Sequence, residues 1–139
     1  MKRSIFVLAI VISFSAAALA DEPAAEKSLA LGTDKPLTCS IAKLSECDGV
    51  AACSEVALEE ADMPPLWKVD FAGKQLSSAD GQRSSPIGEI DTLDTVIVLQ
   101  GHQNDRGWTL VVERATGHLQ GSAADADGAF VLAGSCTPE

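Results

Sequence analysis

The chain has 139 residues, 46% of them hydrophobic, and a formal net charge of −10 from 20 acidic and 10 basic side chains. That length is one ordinary domain and suffices for a single core. A surface of this sign repels phosphate backbones, and no cluster of Lys or Arg interrupts it, so nucleic acid and anionic lipid surfaces are excluded as partners. Surplus carboxylates are usually a solvated face that keeps a protein soluble, so a cationic partner is allowed without being implied.

The chain opens with Met1-Lys2-Arg3, continues through an apolar run from Ile5 to Ile12, and reaches small residues at Ala18-Leu19-Ala20. A positive start, a short apolar stretch and an A-x-A site read as a secretory signal over residues 1–20, cleaved before Asp21. The run is about half of the roughly 20 apolar residues that a membrane span needs. The first cysteine is Cys39, so none stands at the cleavage site to take a lipid. The expected product is periplasmic or secreted, does not insert in a membrane, and carries eight basic against twenty acidic side chains, a net −12. Residues 21–36 mix small, charged and proline residues with little apolar periodicity and are expected to be a flexible tether. Residues 37–139 are then a single domain.

Four cysteines, Cys39, Cys47, Cys53 and Cys136, are an even set in a small exported chain, which is the pattern of a disulfide framework. Of the three possible pairings, Cys47 with Cys53 and Cys39 with Cys136 is favoured. The first closes a short loop that Asp48-Gly49 can turn, and the second ties the first strand to the last. Zinc is disfavoured because C-x5-C is not the usual ligand spacing and His102 and His118 form no H-x3-5-H pair. The C-x-x-C of redox catalysts is absent.

Leu37, Cys39 and Ile41 alternate with Thr38, Ser40 and Ala42, the period of a half-buried strand. Glu55 to Asp62 is expected to form at most one short helical turn, stopped by Met63-Pro64-Pro65. Trp67, Val69 and Phe71 alternate with Lys68 and Asp70 in the clearest strand, followed by a turn at Ala72-Gly73-Lys74. Ser84 to Ile90 reads as an edge-like strand, because Pro86 blocks one ladder hydrogen bond. Asp94 to Gln100 holds Val96-Ile97-Val98-Leu99 and reads as central. Gly101 to Gly107 reads as a polar turn, after which Trp108, Leu110 and Val112 alternate. Ala115-Thr116-Gly117 turns into a strand from His118 to Ala123, and Asp127-Gly128 turns into one from Ala129 to Cys136. Turns at this spacing argue an antiparallel meander. With no long amphipathic helix to cover a face, the all-β sheet must close into a barrel or fold into a sandwich.

Several stretches carry a resemblance: Leu99-Gln100-Gly101, Arg106 to Val112, Ala115-Thr116-Gly117 and Ala133 to Pro138, with Met63-Pro64, Trp67 to Ala72, Arg83 to Ile87 and the Cys39/Cys47/Cys53 spacing upstream. Together they resemble a family of small exported proteobacterial proteins of unknown function. The likeness covers nearly the whole of residues 37–139 and implies export and architecture, with no catalytic residues to carry over. An exported β-domain with an early and a terminal cysteine is also loosely similar to the periplasmic inhibitors of C-type lysozyme. Those inhibitors present a serine-glycine-x-x-tyrosine type of loop, and this chain has no tyrosine.

Residues able to carry chemistry are few. A catalytic serine needs a base, and the two histidines, His102 and His118, sit in or beside turns where a solvated imidazole is expected. Glu59 and Glu60 are neighbours on a possible helical turn and so do not share a face. Asp125-x-Asp127-Gly128 has part of a calcium-loop pattern without its third acidic position or distal glutamate, and Asp-Gly serves a hairpin turn without metal. Trp67 and Trp108 lie on alternating apolar faces, where core packing outweighs a pocket role. The expectation is a monomeric, non-catalytic binding protein of the cell envelope, with no cofactor, no metal, and a protein or small molecule as partner. The alternatives are an inhibitor of an envelope hydrolase, a small-ligand carrier, or a hydrolase. A carrier requires an apolar cavity open at one end of a barrel, and a filled interior with Trp67 packed on Trp108 would exclude it.

Overall fold

The computed structural model describes residues 30–49 and 52–139. The expected signal segment over residues 1–20, its expected cleavage site and residues 21–29 of the expected tether lie outside the described residues. Among the described residues nine strands follow one another with no helix: β1 (Leu37–Asp48), β2 (Ala52–Glu55), β3 (Leu66–Asp70), β4 (Gln75–Ser78), β5 (Ser84–Thr92), β6 (Val96–Gln103), β7 (Arg106–Glu113), β8 (His118–Ala124) and β9 (Gly128–Pro138). From β3 onward each strand pairs antiparallel with the next, and β1 pairs with both β3 and β9. An eight-stranded antiparallel barrel therefore closes on β1, and closure removes the open sheet edges that invite aggregation. The ninth strand, β2, stands outside the ring as a hairpin with the end of β1, in register Cys47↔Cys53.

β1 shows how pattern becomes geometry. Its buried residues are Leu37, Cys39 and Ile41, after which the alternation skips one place to Leu44. The register against β9 shifts between Ile41 and Lys43, so one extra residue keeps Leu44 on the inner face. Gly134 lies opposite this irregularity, where a Cβ would strike the Ser40 carbonyl oxygen. Beyond the shift β1 changes neighbour on its other side, from β3 at Leu37–Ser40 to β2 at Ser45–Asp48.

Inward-facing residues fill the lower end of the barrel, where Leu37, Val69, Ile97, Leu99 and Val112 are essentially inaccessible. Each such side chain stabilises the fold by roughly 1.5–3 kcal/mol relative to exposure. Outward positions such as Lys68, Gln100, Gln120 and Ser135 are exposed and polar. Both cysteine pairs are disulfides, Cys39–Cys136 and Cys47–Cys53, and each joins residues directly opposite on neighbouring strands. No free cysteine occurs among the described residues, and the framework is that of a protein made for an oxidising environment.

The structure departs from the sequence reading at several elements. The expected polar turn over Gly101–Gly107 is mostly strand, with pairs Gly101↔Trp108, His102↔Gly107 and Gln103↔Arg106. Only Asn104 and Asp105 turn, both left-handed at φ 52° and 62°. Such a two-residue turn matches strand twist, and strand ends that project into water need no apolar alternation. The expected edge-like strand around Pro86 is inside the ring, between β4 and β5's other neighbour β6. Pro86 is tolerated there because it faces Gln75, at the end of a ladder only three pairs long. The strand β4 was not legible, since Leu76 and Ser78 are its only buried residues. Glu55 belongs to β2, and the expected helical turn is a single irregular turn closed by Ala61 N–H to Ala57 O at 3.2 Å. The last part of the expected tether is held to the barrel: the Leu31 N–H donates to Arg114 O and the Arg114 Nε–H returns to Leu31 O, both at 2.8 Å.

Candidate functional site

The upper end of the barrel is formed by the tops of the strands, the 56–65 loop, and the β4–β5, β6–β7 and β8–β9 turns. Inward positions here mix small residues, Ser85, Gly101, Gly121 and Ala123, with large ones: the Trp108 ring covers Gly101, and Leu110 and Leu132 cover Gly121. A cavity of about 670 Å³, open at the top, is lined among others by Met63, Trp67, Ser85, Trp108, Leu110, Ala123 and Phe130. The interior at this end is therefore not filled, and the two tryptophans stand in the cavity wall.

Trp108 shares the inner face of β7 with Leu110 and Val112, but it is only half-buried. Its ring occupies the space above Gly101, directly opposite on β6, where any Cβ would collide with it. Its indole N–H donates to Ser85 Oγ at 2.8 Å, so one wall is fixed by a buried hydroxyl. Trp67 is also half-buried, and its indole N–H donates to the Pro64 carbonyl at 2.8 Å. Met63-Pro64-Pro65, legible as a stop signal, thus also pins the loop over the cavity to the top of β3.

The rim is organised by ion pairs. The Arg106 guanidinium donates to Asp125 Oδ2 through Nε at 2.9 Å and Nη2 at 2.5 Å, and its carbon lies 5.2 Å from the centre of the Phe130 ring. The other Asp125 oxygen accepts the N–H groups of Asp127 at 2.9 Å and Gly128 at 3.1 Å. The Arg106 hydrogen bond first, and then those two backbone donors, hold the Asp125 carboxyl below its ordinary value. Asp125-x-Asp127-Gly128 is accordingly a side-chain-capped turn that closes the β8–β9 hairpin. Across the rim Arg83 pairs with Asp62, linking the 56–65 loop to the β4–β5 turn. The Ser78 hydroxyl donates to Asp80 and lowers that carboxyl's pKa, with help from the Gln82 N–H.

Of the residues singled out from the sequence, Trp67 and Trp108 come together at the cavity, lining it as well as packing against the core. The histidines do not: His102 is exposed on β6, and exposed His118 lies 3.6 Å from Glu113. Glu59 and Glu60 are exposed in the turn before Met63. Among the described residues no group of three or more His, Cys, Asp or Glu side chains is arranged to hold a metal, and no helix is long and apolar enough to cross a membrane. Sequence reasoning passed over Ser85, Arg106 and Phe130. Phe130 was visible as the start of the alternation Phe130, Leu132, Gly134, Cys136, whereas nothing local marks Ser85 as the partner of an indole 23 residues away. No protein-family model matches the chain, and no curated protein or solved structure is significantly similar to it.

Proposed function

We propose that this protein is an exported, non-catalytic binding barrel that holds one small ligand in its mouth, acting in the periplasm or outside the cell. The observation that carries the reading is the half-open cavity of about 670 Å³ walled by Trp67, Trp108 and Phe130. Small-molecule sites are concave, mostly apolar, and about 300–1,000 Å³, with a few placed polar groups that orient the guest. An eight-stranded barrel has an interior that side chains either fill or share with one small ligand. Here the lower half is filled, and the upper half leaves open space beside Ala123, between the Trp67, Trp108 and Phe130 side chains. Ser85, Gln103 and Asn104 supply polar groups at the wall and rim.

The test is a titration with a neutral, environment-sensitive fluorophore such as 1-aminoanthracene, exciting the tryptophans and recording energy transfer. Saturable binding at one site is expected, and it should be abolished by Ala123→Phe, which places a ring in the cavity. No saturable binding, or binding indifferent to that substitution, would overturn the proposal.

A further inference from the structure

A second open hollow of about 620 Å³ adjoins the mouth and shares Arg106, Asp125 and Phe130 with it. Its character is different. Where the mouth cavity is aromatic, this hollow is lined by Glu46, Asp48 and Asp127 as well as Asp125. Asp125 is paired with Arg106, whereas Glu46, Asp48 and Asp127 have no ion-pair partner among the described residues. The two cations that line the mouth, Arg83 and Arg106, each already hold a carboxylate. An anionic headgroup arriving here would have to displace Asp62 or Asp125, and would meet the unpaired carboxylates as it did so. A cationic headgroup would meet the three unpaired carboxylates, which attract it, beside an Arg106 guanidinium that already lies over the Phe130 ring and whose charge Asp125 offsets.

We infer that the ligand is an amphipathic cation: a small molecule whose apolar body enters the aromatic mouth while its ammonium or guanidinium group rests in the adjoining acidic hollow. The inference rests on the proposed ligand-binding reading of the mouth and adds the charge of the guest. Three matched probes separate the two ideas: decyltrimethylammonium, decyl sulfate and decyl maltoside, each below its micellar concentration, followed by tryptophan fluorescence and calorimetry. At low ionic strength the ammonium should bind about tenfold or more tightly than the sulfate, and the gap should narrow in 0.5 M salt, where charges are screened beyond about 4 Å. Asp48→Asn with Asp127→Asn should reduce the preference several-fold while leaving the maltoside unaffected.

Ala123→Phe should suppress binding of all three probes, with Ser84→Trp at the rim as a second block if the first variant does not fold. Equal binding of ammonium and sulfate overturns the charge assignment and leaves the binding barrel standing. Ammonium binding that survives both blocks overturns it too, as adsorption to an acidic surface. Failure of all three probes overturns the binding barrel itself, and this inference with it.

Discussion

Trp108 carries two roles that a fully buried residue would not combine. Its position in the alternation with Leu110 and Val112 turns it inward, and Gly101 gives the ring its seat, yet part of it remains open to the cavity. Truncating a fully buried aromatic costs roughly 3–5 kcal/mol, and a half-buried one loses less contact and leaves a hole already open to water. Trp108→Ala is therefore expected to lower stability by about 1–3 kcal/mol by urea unfolding, and to weaken binding in the mouth by more than that loss of stability explains. Trp108→Phe, which keeps a ring over Gly101, should recover most of both. A variant with core-sized destabilisation and unchanged probe affinity would return the residue to a purely structural role. The direction of this side chain was legible, because period two is a local property. Its exposure was not, because that depends on Gly101 and Ser85, which other strands bring to it.

At the scale of elements, long strands with strict alternation were legible, and short or terminal ones were not. β3 and β7 announce themselves through Trp67/Val69 and Trp108/Leu110/Val112, whereas β4 has too few inward residues to show a period. The polar turn expected over Gly101–Gly107 is wider than the two-residue turn at Asn104-Asp105, because the upper pairs of the β6–β7 hairpin are polar and show no apolar period. Asn104 and Asp105 are both left-handed, a conformation that costs most L-residues about 1–2 kcal/mol and costs glycine nothing. Asparagine followed by glycine is the favoured pair for such a turn. Asp105→Gly is thus expected to stabilise the protein by about 0.5–1 kcal/mol, read as a raised melting temperature. A lowered one would show that the Asp105 side chain contributes something beyond its backbone.

At the scale of the whole molecule, closure depends on β1, which joins the first strand of the ring to the last. The Cys39–Cys136 bridge sits on that seam and spans 97 residues of sequence, against 6 for Cys47–Cys53. By chain entropy the long bridge stabilises by about 4–5 kcal/mol and the short one by about 2 kcal/mol. Against a typical domain stability of about 5–15 kcal/mol the first is a large share. Replacing Cys39 and Cys136 by alanine should therefore bring the urea midpoint down far more than replacing Cys47 and Cys53, which tie only the external hairpin. Equal losses would mean that the hairpin is coupled to the barrel more tightly than its pairing to β1 alone implies. The strap at residues 30–36 adds a smaller seam at the lower end, where Arg114 also donates to the carbonyls of Leu93 at 3.1 Å and Asp94 at 3.3 Å.

The amino-acid sequence by itself determined an all-β chain, the cysteine framework and the inward set of its longer strands, because these follow from period, spacing and turn chemistry within a dozen residues. The tertiary structure alone decided between barrel and sandwich, since β1's pairing with β9 is a contact between the two ends of the domain. It alone also showed the mouth. Its walls, Met63, Trp67, Ser85, Trp108, Ala123 and Phe130, come from the 56–65 loop and from β3, β5, β7, β8 and β9, which the sequence keeps far apart. None is unusual locally, and the space between them appears only once the ring has closed.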